Sequence, residues 1–213
     1  AGQRTDLDRG VVLAVAALTA NDLTVEANTA ITIINAVVDS MNLTINQTGG
    51  VNVSNTQAFS LTAHSNNNNI TASTSSGNLS IVSIDAGTGD VDLTASGGSV
   101  LDSTPSDDSS VNIIADTVTL AGSTGIGASG SGDVDTTAAS LELSTTSSGN
   151  IFVADSDSVS LAASSTASNG SIDVRTVTGD LTVSSAVTAD GSGDITLNSA
   201  GNLVVNNVLT STS

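Results

Sequence analysis

The chain is expected to fold as an all-β solenoid of about 20 residues per coil with open ends, and three observations in the sequence support this. First, a pair of apolar residues one apart, opened by Gly and a small polar residue, recurs as Gly77-Asn78-Leu79-Ser80-Ile81, Gly89-Asp90-Val91-Asp92-Leu93, Gly149-Asn150-Ile151-Phe152-Val153, Gly179-Asp180-Leu181-Thr182-Val183, Gly193-Asp194-Ile195-Thr196-Leu197 and Gly201-Asn202-Leu203-Val204-Val205. Strand side chains alternate between faces, so each unit reads as a short strand with two inward residues and a tight turn before it. Second, the apolar 38% of the 213 residues contains two Phe, one Met and neither Trp nor Tyr, a composition suited to a narrow layered interior of Val, Ile, Leu and Ala. Third, no helical period is sustained anywhere.

Residues 1–20 read as an N-terminal strand or cap within a single domain spanning 1–213. The apolar stretch 11–20 follows Arg4 and Arg9 as it would in a secretory leader, but Asp6 and Asp8 break the positive flank, and a first rung fits better. Weaker copies of the unit follow: Asp22-Leu23-Thr24-Val25, Ala30-Ile31-Thr32-Ile33, Asn42-Leu43-Thr44-Ile45, Gly50-Val51-Asn52-Val53 and Phe59-Ser60-Leu61. The Asn run 66–69 is a polar excursion. Residues 102–110 hold the single Pro, Pro105, and three acids, and should protrude as an acidic loop. Val111-Asn112-Ile113, Val118-Thr119-Leu120, Leu141-Glu142-Leu143, Val159-Ser160-Leu161 and Ile172-Asp173-Val174 complete the series. Every second pair falls about 20 residues on, so nine or ten coils at about 4.8 Å each give a rod roughly 45 Å long.

Residues at the centre of each pair point outward and are mostly Ser, Thr, Asn and Asp, as a solvated face requires. Phe152 and Val204 are the exceptions and are the candidate interaction surface. At the two ends Val11 and Leu13, and Leu203 and Val205, still read as rungs. Open strand edges are normally protected, so these are candidate assembly ends of a subunit that stacks head to tail, or of a slice from a longer solenoid joined to neighbouring repeats.

Charge narrows the partners. Three Arg, no Lys and 21 acids give a net charge of −18, so no basic face exists for nucleic acid or for an anionic bilayer, and no apolar run approaches the roughly 20 residues of a membrane span. The chain has no Cys, which excludes disulfides and thiolate metal sites. Calcium is the best cofactor candidate, with Asp102, Asp107 and Asp108 gathering carboxylates in the protruding loop, or Asp155 with Asp157. Weak, nonspecific divalent binding by an acidic rod is the competing expectation. The Gly-Gly-x-Gly-x-Asp repeat of calcium-loaded β-rolls is missing. Enzymatic activity is not expected: Arg175 is the one cation beyond residue 9, and His64 the one imidazole, which reads as an exposed loop histidine. Thr117-Val118-Thr119 and Thr176-Val177-Thr178 suggest ranks of Thr, but neighbouring coils interrupt them. Asn-x-Ser/Thr sequons stand at Asn42, Asn46, Asn52, Asn69, Asn78 and Asn169, at a frequency that chance explains in this composition.

The run Val111-Asn112-Ile113-Ile114-Ala115, Val118-Thr119-Leu120, Thr124-Gly125-Ile126-Gly127, Thr137-Ala138-Ala139-Ser140-Leu141 and Gly149-Asn150-Ile151-Phe152-Val153, leading to Asp157-Ser158-Val159-Ser160-Leu161, resembles the filamentous-haemagglutinin-like β-solenoid exoproteins of bacteria. The resemblance implies a right-handed parallel β-helix, export to the cell surface, and a role in adhesion or fibre building. It carries over no catalytic residue. The function expected is that of an extracellular structural and adhesive repeat protein, which would meet surface glycans or its own copies. The alternative is a polysaccharide-binding module, or an inactive relative of the β-helix polysaccharide lyases.

Overall fold

The computed structural model describes residues 3–7, 11–13, 18–104 and 110–212, the first two segments by backbone alone, as is Ala163. The chain forms a parallel β-solenoid of about nine turns with about 21 residues per turn, and no helix occurs among the described residues. Among the described residues, twenty strands belong to one continuous sheet, and every pairing between them is parallel. The expected solenoid and its coil length are therefore both present.

Two ladders run the length of the stack. One carries the column Val11, Ile31, Val51, Ile70, Val91, Val118, Leu141, Leu161, Val183 and Val205, each residue in register with the next. The other places Leu23, Met41, Leu61 and Ile81 over one another, and further along Val134, Val153, Val174 and Leu197. From residue 18 to residue 189 the inward members of these columns are buried against their counterparts one coil away and form one aliphatic core. Strand alternation explains the pattern: Val51, Val53 and Asn55 face in while Asn52 and Ser54 face out.

The acidic insertion leaves the ladders in register. Val91 and Val118 are direct neighbours in their column although 27 residues separate them in sequence. The strand Val100–Asp102 pairs back to 79–81, and 113–114 pairs to 84–85, so the excess chain between is accommodated outside the pairing. Residues 105–109 of the expected loop, including Pro105, lie outside the described residues.

Glycine opens the turns for two different reasons. Gly77, Gly149 and Gly179 adopt φ of 75°, 92° and 75°, the left-handed region that their turns require. Gly89, Gly193 and Gly201 do not have positive φ; there a side chain would strike the preceding coil, as at Gly193, where a Cβ would sit 2.0 Å from the Gly170 carbonyl oxygen. Turn geometry alone, the reading made from sequence, accounts for half of the six.

These roles separate by substitution. Gly149→Ala combines positive φ with a Cβ 1.9 Å from the Thr124 carbonyl oxygen, whereas Gly130→Ala has positive φ and open space. Thermal or denaturant unfolding should show a loss of about 2 kcal/mol or more for the first and about 1 kcal/mol for the second. Equal losses would mean that coil contact contributes nothing at Gly149.

Candidate functional site

The outer surface is organised by the same register as the core. Ser54, Ser73, Thr94, Ala121, Ser144, Ser165, Thr188 and Thr210 form one outward column over eight coils, seven of them hydroxyls. The adjoining column is mixed, with Thr32, Asn52, Thr71, Asp92, Thr119 and Glu142. The two Thr-Val-Thr segments are out of phase: Val118 is buried and Thr119 faces out, but Thr176 is buried and Val177 is exposed. Hence they do not build a common rank.

Small polar residues before the strands bind the coils together. The side-chain oxygen of Asn69 accepts from the Asp90 N–H at 3.0 Å, Asn78 from Ser99 at 2.9 Å, Asn150 from Ser171 at 2.8 Å, Ser158 from Asp180 at 2.9 Å and Asp180 from Asn202 at 2.7 Å. Each satisfies a backbone donor one coil later that the strand ladder leaves unpaired. Sequence reasoning took these residues as turn formers and missed this second use. Their recurrence at coil spacing was the available signal.

Polar groups also enter the core at corners. Asn55 accepts from the Val38 N–H at 3.0 Å and donates to the Val38 and Gln57 carbonyls, both at 2.9 Å. Asp155, fully buried, stands in the same relation to Ala138: its Oδ2 accepts from the Ala138 N–H at 3.0 Å and from the Thr136 hydroxyl at 2.7 Å, and its Oδ1 from the Asp157 N–H at 3.1 Å. Burial pushes the Asp155 carboxyl up to about 6, opposed by these hydrogen bonds and assisted by the negative charge of Asp157. Its buried oxygens serve the corner.

The expected calcium loop is described in one of its three acids. Asp102 is buried, and its Oδ1 accepts from the Thr104 N–H at 2.8 Å, the Thr104 hydroxyl at 3.0 Å and Asn112 Nδ2 at 2.9 Å. Asn112 in turn accepts from the Asp135 N–H at 2.8 Å, so Asp102 braces the base of the insertion. Asp107 and Asp108 lie outside the described residues. Among the described residues no three acids or histidines are placed to hold a metal ion.

Phe152 is half-buried, not fully exposed, and lies in register with Asp173, one residue before the Val153 that pairs with Val134. A shallow groove there is lined by Ser131, Asp133, Phe152, Asp173 and Arg175. Arg175 reaches across the ring's column to Asp133, with Nη2 and Nε at 2.8 and 3.0 Å from Oδ2. The guanidinium is thereby engaged with a buried carboxylate. His64 is exposed as expected, but it ends the strand Phe59–His64 instead of lying in a loop, with Nδ1 3.5 Å from Asp85. Val204 is exposed in the last coil, flanked by Leu203 and Val205, which are exposed as well. Val11 and Leu13 occupy the strand that opens the same ladder.

No protein-family model, curated protein or solved structure matches the chain.

Asp155 makes stability depend on pH. Its folded-state value lies above that of an unfolded Asp, so folding takes up a proton; the resulting stabilisation is complete below about pH 4 and is lost as pH rises through about 6. Relative to Asp155→Asn, the native chain should lose roughly 3 kcal/mol of stability between pH 4 and pH 7. Urea unfolding of both across that range reads the difference, and a constant difference would overturn the assignment.

Proposed function

We propose that the protein is an extracellular structural and adhesive repeat protein: a stiff rod that displays a hydroxyl-, amide- and carboxylate-rich surface and joins end to end or to neighbouring repeats. The observation that carries this reading is the ten-rung column in register from Val11 to Val205. Such a ladder resists bending and local opening, because each coil is held by main-chain hydrogen bonds on both sides and by the shared core. The charge of −18 keeps the long flanks apart and suits a surface in contact with ions and hydrated glycans.

The Phe152 groove supports a second reading, a polysaccharide-binding module. An aromatic ring flanked by Asp173 and the Asp133–Arg175 pair offers one stacking surface with polar groups around it. Glycan-array binding that disappears in Phe152→Ala would favour this reading over the purely structural one.

Small-angle scattering and negative-stain images of the purified chain should give rods whose repeating unit is roughly 45 Å long. Compact spherical particles or an expanded coil would overturn the rod.

A further inference from the structure

The sheet face that carries Phe152 is interrupted on one side of the ring. Ile126 and Ile151 are bridged in parallel, so the position opposite Phe152 one coil earlier is Gly127. Gly127 has a φ of 63°, and a Cβ there would lie 2.4 Å from the Phe152 carbonyl oxygen. Glycine is therefore required, and no side chain stands over the ring at that position. The chain then leaves the ladder in a tight loop, in which the Ala128 N–H donates to the Gly132 carbonyl at 2.7 Å. Gly130 and Ser131 of this loop face Asp173 and Arg175 of a later coil across the groove, with Phe152 on the coil between. The space is about 250 Å³. It falls below the roughly 300–1,000 Å³ of ordinary small-molecule sites, and suits one ring of a longer chain.

The polar groups around the ring are both donors and acceptors. Arg175 places Nε and Nη2 on one oxygen of Asp133, at 3.0 and 2.8 Å, which fixes the guanidinium and leaves its Nη1 hydrogens for a ligand. Asp173, half-buried and in register with Phe152, adds a carboxylate whose two oxygens can accept from neighbouring hydroxyls. A flat apolar surface with an acceptor and a donor beside it matches a pyranose, which has one face of C–H groups and a rim of hydroxyls.

Charge selects among sugars. Asp133 and Asp173 against Arg175 leave the groove with one net negative charge, on a chain of net −18. Arg175 is the one cation beyond residue 9, and it is already matched by the buried carboxylate of Asp133. A carboxylate or sulfate on the ligand would meet repulsion with no cation left to balance it.

We propose that the Phe152 groove binds one pyranose ring of an uncharged glycan and rejects uronates and sulfated sugars. This rests on the glycan-binding reading above and adds to it the charge class of the ligand. Phe152 stacks on the ring, Asp173 and Arg175 hold its hydroxyls, and the net negative charge excludes acidic chains.

Saturation-transfer NMR and calorimetry test this with hexamers of glucose, mannose and galactose beside hexamers of galacturonate and mannuronate. The native chain should bind at least one neutral hexamer about tenfold or more tighter than either uronate. Phe152→Ala and Asp173→Asn should each weaken that binding by about tenfold. Circular dichroism and urea midpoints of the same samples report whether each variant remains folded. Uronate binding equal to or tighter than neutral binding, and lost in Phe152→Ala, would overturn the charge selection and leave the glycan-binding reading standing. Binding of none of the hexamers would overturn both. Neutral binding unchanged in both folded variants would overturn the placing of the ligand at this groove.

Discussion

Everything in this protein depends on the requirement that equivalent residues of successive coils lie directly over one another. Parallel pairing at one strand spacing leaves no room for an inward side chain to be replaced by a much larger one without displacing the coil above. The Val11-to-Val205 column meets this with ten Val, Ile or Leu residues. The near absence of aromatic rings follows from it. Phe59 is buried at a position that Leu79 and Val100 fill in the next two coils, so a ring is accommodated singly but not in a stack.

The same constraint governs where polar residues enter. At the corners the backbone turns away from the ladder, and its donors need partners that water cannot reach. Asn55 supplies them as a neutral amide with both a donor and an acceptor, while Asp155 supplies acceptors alone and is pushed toward its protonated form by burial. Along the turns, Asn69, Asn78, Asn150 and Asp180 satisfy the next coil's N–H groups. The stack is therefore tied by side chains as well as by strands, and its corners are specified as closely as its faces.

Irregularity is placed where it costs the register least. The extra chain between Val91 and Val118 leaves their column intact, and Asp102 with Asn112 closes its base through hydrogen bonds. The groove at Phe152 arises where Asp133 and Arg175 meet over 42 residues of sequence.

Alternation of apolar and polar residues at coil spacing was enough to read the solenoid, its coil length and most inward positions from the sequence, because burial in a two-residue period is a local property of the chain. The exposed terminal rungs at Leu203 and Val205 were legible for the same reason. Three things were decided by the tertiary structure alone. Thr176 faces in and Val177 out, since a corner resets the phase that Thr117-Val118-Thr119 suggested. Gly193 and Gly201 are needed for close coil approach and not for backbone angle, and Asp102 is buried and braces the base of the insertion. Each depends on what lies one coil away, at a distance of about 20 residues that varies with every insertion. Local pattern determines which face a residue takes, but only the folded stack determines which residue it meets.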